Sequence, residues 1–166
     1  MLPDMRPNMR PNLRKTIPFA ALMVAALALG AQAALAGECP ADKMKPNVRE
    51  KVDYKPVGVT DVTLGSINLE KQPANIKDRE LRFRKLTIEP GGIVPWHSHA
   101  ERPALIYIVS GEIVENASNC AVPIVHKAGE VARETHATAH WWQNNGKATV
   151  VLLSFDIAAD PNDHHM

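Results

Sequence analysis

The chain has few aromatic residues, only two cysteines and no long helical pattern after its N-terminal segment. Its 166 residues include three tryptophans, two tyrosines and three phenylalanines, and its formal net charge is +1. Basic residues do not cluster with aromatic ones, which argues against a nucleic-acid partner. The absence of a sustained 3.6-residue period argues against a helical bundle. The length allows one domain with a real core.

The longest apolar run near the N-terminus spans residues 17–29. Four basic residues precede it and two Ala-x-Ala sites follow it. These three features together are typical of a secretory signal peptide, and the run is shorter than the roughly 20 residues of a membrane span. We predict a signal peptide at residues 1–36, cleaved after Ala33 or Ala36. The mature protein would then be periplasmic or secreted, without a stable membrane span.

Predicted export gives the two cysteines, Cys39 and Cys120, a structural role. Disulfides persist in the periplasm and outside the cell. We therefore predict that these two residues pair. In the chain-entropy model, closing a loop of this length stabilises the fold by roughly 4–5 kcal/mol before any strain is subtracted.

Short apolar or alternating segments dominate the rest of the chain. Residues 57–69 predict one or two strands broken near Gly65, residues 80–88 predict a half-buried strand, and residues 148–157 predict a buried one. Asn-Gly at 145–146 has the chemistry of a hairpin turn. Many short strands separated by turn signals predict an all-β sandwich or barrel.

The domain boundaries follow from the same patterns. Residues 37–56 are polar and contain several prolines, which predicts an N-terminal arm with one turn of helix near residues 44–51. We place the β-barrel domain at residues 57–158. The last residues, 159–166, are predicted to be a flexible tail.

Two histidines, His97 and His99, follow a glycine pair and precede a predicted strand. Residues two apart on a strand point to the same face, so both imidazoles would enter one interior. Two converging neutral imidazoles are half of a transition-metal site. Taken alone, they fit a surface or packing pair equally well.

The wider pattern resembles the cupin superfamily, in particular its small single-domain, type-2-like members. The first cupin motif is Gly-x5-His-x-His-x3,4-Glu-x6-Gly, and the second ends in His-x3-Asn. The matching positions are Gly91, His97, His99, Gly111, His140 and Asn144. The resemblance covers about residues 80–157. It implies an all-β double-stranded β-helix, or jelly-roll barrel, with imidazoles holding a metal ion in its mouth.

One motif position departs from the family pattern. The expected glutamate stands seven residues before the second motif glycine, where this chain has Ala104. Alanine cannot bind a metal ion, so the resemblance implies a site of three histidines, His97, His99 and His140. Such a site suffices for a divalent transition metal with open positions, and Zn, Mn, Fe, Ni and Cu are not distinguished.

Other residues are candidates for completing this site. Glu101 and His136 share strand parity with the histidines and are candidates for a fourth ligand, although each also fits a surface position. His126, next to a lysine at a strand end, is predicted to be a surface residue. Four residues close to the histidines in the pattern are predicted to wall a pocket: Trp96, Ile106, Trp142 and Asn144.

Three functions fit the pattern. We favour an exported cupin that binds a divalent metal through three histidines and has a small-molecule pocket in the barrel mouth. A metal-dependent dioxygenase, isomerase or lyase is the second interpretation, although few general bases are evident beyond Glu101 and Glu134. A metal-free ligand-binding barrel is the third. A small-molecule ligand and a homodimer are the expected partners.

Overall fold

The computed structural model describes residues 37–159, so the predicted signal peptide and nearly all of the predicted tail lie outside the described residues. Within this range, no helix is both long and apolar enough to cross a membrane. The described chain is all-β apart from one 3-10 turn at Ala41–Lys43. Its strands are β1 (Val57–Asn68), β2 (Glu80–Ser98), β3 (Ala104–Ser110), β4 (Glu112–Ala117), β5 (Ile124–Lys127), β6 (Val131–Glu134), β7 (Ala139–Gln143) and β8 (Val150–Ala158).

The strands form one antiparallel sheet that curls into a nearly closed barrel. Its order is β5-β4-β7-β2-β8-β3-β6, and β1 pairs with β2 outside this path. Because β2 is long, its first half pairs with β8 and its second half with β7. This double-stranded β-helix confirms the predicted fold class.

Two motif glycines allow β2 to pass from one side of the barrel to the other. Gly91 has φ of +76°, a conformation that L side chains rarely adopt. At Gly92, a Cβ atom would lie 2.6 Å from Ile88 Cγ2 and 2.8 Å from the Glu89 carbonyl oxygen. Asn144 fixes the same crossing, because its backbone N–H donates to the Gly92 carbonyl at 3.0 Å.

Side chains alternate between the barrel interior and the outside, as the period of two requires. On β8, the positions from Val150 to Ala158 alternate between buried and more exposed side chains. Burial of inward apolar side chains drives folding of such a sheet. The core cluster contains Leu86, Ile88, Val94, Ile106, Ile108, Ile113, Ala132, Trp142, Val150 and Leu152.

The N-terminal arm is tied to the barrel by the predicted disulfide. Cys39 and Cys120 are bonded, with their Cα atoms 5.7 Å apart and a sequence separation of 81. Met44 forms an isolated bridge with Cys120, and the Lys45 N–H donates to the Asn119 carbonyl. The arm is therefore held against the turn between β4 and β5.

Three local predictions need correction or refinement. The helical turn expected at residues 44–51 is instead a 3-10 turn at Ala41–Lys43. Residues 145–146 form no hairpin, because β7 and β8 pair with different halves of β2. The break expected near Gly65 is a register shift within one continuous β1. Turn chemistry indicates a reversal of the chain, but it does not specify which strands pair.

Candidate metal centre

Three histidines from β2, β7 and the loop after β2 converge in the barrel. His97 and His140 are register partners on adjacent strands, and the backbone N–H of His99 donates to the Thr138 carbonyl. The Nε2 atoms of the three rings lie 3.0–3.1 Å from one another. The structure thus brings together the three imidazoles that the sequence pattern selected.

Each ring has an oxygen acceptor at its other nitrogen. The Nδ1 atom of His97 lies 3.0 Å from the Pro95 carbonyl, and that of His99 lies 2.7 Å from the Arg102 carbonyl. The Nδ1 atom of His140 lies 2.7 Å from Glu115 Oε1. Since each Nδ1 donates a hydrogen to these oxygens, each Nε2 keeps its lone pair. Three lone pairs therefore point at a common centre, as ligands of a cation do.

The protonation states also suit metal binding. Burial lowers the pKa of His97 well below its usual range, and burial lowers the pKa of His99 to about 3. Both rings are neutral at pH 7 and available as ligands. Burial also opposes charge on His140, but the nearby carboxylates of Glu134 and Glu115 raise its pKa.

A second histidine shares the carboxylate that orients His140. Glu115 on β4 accepts from the His126 Nε2 atom at 2.7 Å and from His140 at the same distance. Burial by itself raises the pKa of Glu115, but the hydrogen bonds from His126 and His140 bring it to about 2. His126 is fully buried and stacks on Trp142 with ring centroids 4.6 Å apart. The prediction of a surface position for His126 is wrong.

Glu134 is a second buried carboxyl group next to the histidines. Its Oε2 lies 3.4 Å from His140 Nδ1, and its residue exposure is 3%. Burial raises the pKa of Glu134 to about 8; the attraction of His140 opposes this rise and the repulsion of Glu115 adds to it. Glu115, Glu134 and His140 form a second group of potential ligands, on the Nδ1 side of His140.

The pocket on the Nε2 side of the histidines is small and largely apolar. Its volume is about 20 Å³, enough for roughly one water molecule. Ile106 and Trp142 line it, as predicted from their positions. Asn144 instead has a structural role, because its side-chain amide donates to the Ile88 and Ala148 carbonyls. Trp96 is half-buried and does not line the pocket.

The two candidates for a fourth ligand lie apart from the histidine triad. Glu101 and His136 are both exposed, and neither belongs to a group of potential ligands among residues 37–159. Ala104 faces inward and is the register partner of Glu134 on one side and of Asp156 on the other. The sequence pattern identified the three histidines. Of the carboxylates that surround them, it indicated only Glu134, as a potential general base.

Comparison with known proteins gives the family. The family model for the cupin domain matches residues 84–156, which include all three histidines. Residues 84–156 therefore belong to the cupin domain family. This cupin domain is also similar in sequence to a germin-like protein, subfamily 2 member 2, of Arabidopsis thaliana. The identity is 28% over 104 residues, which are 58% of this chain and 47% of the relative, so the match spans about half of that protein.

One solved structure supports the fold, and a second has a slightly lower TM-score. An uncharacterised protein with a double-stranded β-helix domain from Klebsiella pneumoniae superposes with a TM-score of 0.50 at 18% identity. The alignment covers 70% of this cupin and 87% of that chain. A predicted oxalate decarboxylase from Thermotoga maritima gives a TM-score of 0.49 at 20% identity, covering 72% and 97% of the two chains. At these identities the likeness concerns the fold alone.

Proposed function

We propose that this cupin binds one divalent transition-metal ion through the Nε2 atoms of His97, His99 and His140. The observation that carries the proposal is the convergence of three Nε2 atoms within 3.0–3.1 Å of one another, each on a ring whose Nδ1 atom faces an oxygen acceptor. Three cis ligands at about 2.1 Å from one ion have separations of this size. A bound metal would supply Lewis acidity and open positions for water or a small molecule.

Several features of the chain support this assignment. The Nδ1 partners hold each ring in one orientation, and such outer hydrogen bonds are usual around metal-binding histidines. The neutral state of His97 and His99 at pH 7 removes the need to displace a proton before binding. Glu115 adds a negative charge behind His140, which favours a cation on the opposite side of the ring.

Metal analysis of the purified full chain tests the proposal. We expect close to one equivalent of a divalent metal in the unaltered protein, and loss of most of it after any one of His97→Ala, His99→Ala or His140→Ala. The exposed His136→Ala is the matched control and should keep its metal. Stoichiometric metal in the triple variant would refute the assignment, whereas loss in the control would indicate nonspecific binding.

A metal-dependent enzyme is the second candidate function. Open coordination positions on a bound metal ion, next to the apolar wall formed by Ile106 and Trp142, would suit chemistry on a very small molecule, because the pocket has room for roughly one water molecule. Dioxygenase, isomerase and lyase reactions all fit such a site, and the cupin fold does not select among them. Screening the metal-loaded protein for turnover of small molecules separates catalysis from binding alone.

We also propose that the protein acts outside the cytoplasm. The disulfide between Cys39 and Cys120 supports an oxidising compartment, because reduced thiols prevail in the cytosol. The signal-peptide pattern of residues 1–36 supports the same proposal. Fractionation of the producing cells, followed by N-terminal sequencing, tests it; full-length protein in the cytoplasm would contradict it.

A further proposal is that the chain forms a homodimer through the outer face of β2, β8 and β3. This face carries adjacent apolar side chains. Phe155 on β8 is the register partner of Leu105 on one side and of Phe83 on the other. Seven apolar side chains on this side are each 39–51% exposed. They are Ile67, Leu81, Leu105, Tyr107, Val109, Val131 and Phe155.

A second copy suits this face better than an unrelated partner. An apolar patch is complementary to itself, so two copies related by a two-fold axis can bury the same patch against each other.

A further inference from the structure

A cleft separate from the proposed metal pocket lies between the N-terminal arm and the barrel. Its volume is about 230 Å³, roughly ten times that of the pocket at the histidines. The arm supplies Glu38, Cys39 and Met44 to one wall, and the disulfide holds that wall in place. None of the three proposed metal ligands lines this cleft.

The cleft is acidic. Glu38, Glu115 and Glu134 line it, and Arg133 is the only basic residue in the lining. Arg133 pairs with Glu38, and both oxygens of Glu115 accept hydrogen bonds from His126 and His140. Among the carboxyl groups that line the cleft, Glu134 is therefore the one that accepts no hydrogen bond from another described residue.

Glu134 has no hydrogen bond to another described residue, although it is 3% exposed. Its nearest charged neighbour is His140 Nδ1 at 3.4 Å, and that nitrogen already donates to Glu115. A nearly buried carboxyl group without a hydrogen-bond donor is unfavourable. A cationic group in the cleft would supply donors to Glu134.

The rest of the lining fits a small amphipathic ligand. The side chains of Asn119, Thr135 and Thr138 line the cleft, and none of them hydrogen-bonds another described residue. They offer oxygen acceptors beside Glu134. The apolar part of the lining consists of Met44, Ala117, Ile124 and Ala132.

We propose that this cleft binds a small primary ammonium compound, with its –NH₃⁺ group on the Glu134 carboxylate and its alkyl part against Met44 and Ile124. A primary ammonium has three donors, which match one carboxylate and nearby hydroxyl or amide oxygens. A metal ion fits less well, since hard cations need six or more oxygen ligands and Glu115 is already engaged. This site is distinct from the proposed metal site.

Binding of n-butylammonium to the oxidised full chain tests the proposal. We expect saturable shifts of the Thr135 and Thr138 amide NMR signals. The uncharged analogue 1-butanol and the donor-free tetramethylammonium ion should bind at least tenfold more weakly. Equal binding of 1-butanol would overturn the proposal, and so would binding of Mg²⁺, Ca²⁺ or Zn²⁺ at these residues in preference to n-butylammonium.

Variants connect the binding to the named residues. Glu134→Gln should weaken n-butylammonium binding at least tenfold, and Thr138→Val is a second variant should the first fail to fold. The exposed Glu112→Gln is the matched control and should bind normally. The double variant His97→Ala/His99→Ala should also bind normally, which separates this site from the metal proposal. Undiminished binding in both Glu134→Gln and Thr138→Val would overturn the assignment.

Discussion

At the scale of single residues, the carboxylates around His140 decide how the site behaves. Glu115 orients His140 and is itself fixed by His126, so one side chain connects β4, β5 and β7. Glu134 approaches the same ring from β6. A metal bound at Nε2 would therefore be tuned by residues that do not touch it.

Replacement of Glu115 by glutamine should weaken metal binding without removing it. The amide carries no charge and cannot accept from both His126 and His140 as well as the carboxylate does. We expect a loss of roughly 10–100-fold in affinity, measured by competition with a chelator. The exposed Glu112→Gln on the same strand is the control. Equal affinities in the two variants would show that the orientation of His140 does not matter.

The small residue at position 104 is explained by its neighbours. Ala104 faces Glu134 and Asp156 across its two strand pairs, so Ala104→Glu would add a third buried carboxyl group. We expect the metal-free variant to lose about 2 kcal/mol or more of unfolding free energy. Ala104→Gln separates the effect of charge from that of size. Gains in both melting temperature and metal affinity for Ala104→Glu would contradict this explanation.

Asp156 links the inner arginines into a buried ion-pair network. It accepts from Arg82 at 2.9 and 3.0 Å and from Arg84 at 3.1 Å. Burial raises the pKa of Asp156, but the hydrogen bonds from Arg82 and the charge of Arg84 outweigh burial and lower it. Its stabilising contribution is therefore present above the unfolded-state pKa of about 3.9 and is lost as the pH falls further.

Asp156→Asn should accordingly destabilise the fold in a pH-dependent way. At pH 7 we expect a loss of about 3 kcal/mol, because Arg82 and Arg84 each lose one charged acceptor, although Arg84 keeps Asp61. The difference from the unaltered protein should shrink as the pH falls below about 4, because the unfolded-state aspartate becomes protonated there, and it should vanish only below the lowered pKa of the native carboxyl group. Denaturant unfolding at several pH values measures this difference, with the exposed Asp53→Asn as control. A difference that did not vary with pH would contradict the role of ionisation.

At the scale of elements, the long strand β2 organises the site. It pairs with β1, β7 and β8, and it carries His97 near its end. The crossing at Gly91 and Gly92 sets the direction of its second half. The position of the histidine triad therefore depends on backbone geometry several residues upstream.

Gly92→Ala should disturb this crossing. The added Cβ would lie 2.8 Å from the Glu89 carbonyl oxygen and 3.1 Å from that of Gly58, both of which are backbone atoms. We expect a loss of about 1–3 kcal/mol in unfolding free energy. Gly65→Ala on β1 is the control, because nothing lies within 4 Å of its added Cβ. Chemical denaturation compares the two, and equal stabilities would refute the crowding argument.

At the scale of the whole molecule, one outer face of the barrel carries seven exposed apolar side chains. Leu105, at 51% exposure, lies near its centre. The disulfide-held arm contacts the turn between β4 and β5 and also reaches β6, where Glu38 pairs with Arg133, the register partner of Leu105. The proposed dimer interface therefore borders the arm at β6.

Leu105→Lys should convert the proposed dimer into a monomer. Burying an unpaired ammonium at the interface is costly, and we expect the dimer to weaken roughly 100-fold. Val125→Lys is the matched control, since Val125 is 41% exposed but lies on β5, away from the face. Light scattering after size-exclusion chromatography measures the mass. A monomeric unaltered protein, or two dimeric variants, would refute this interface.

The sequence by itself determined the all-β class, the three converging histidines and the disulfide pair. Apolar and polar residues that alternate along a strand indicate which side chains face inward. The His-x-His spacing places two rings on one side of a strand. These are local properties of the chain. Strand parity did not place Glu101 and His136 correctly, because the chain leaves the strand conformation at both positions and exposes both side chains.

Only the tertiary structure brought Glu115, His126 and Glu134 to His140. The pairing of β4 with β7 places Glu115 near His140, and β6 contributes Glu134 through its pairing with β3. Such pairings join segments far apart in sequence, and their register is set by packing of the whole barrel rather than by local pattern. For the same reason the Asn-Gly turn at 145–146 indicated a reversal but not the strands that it connects.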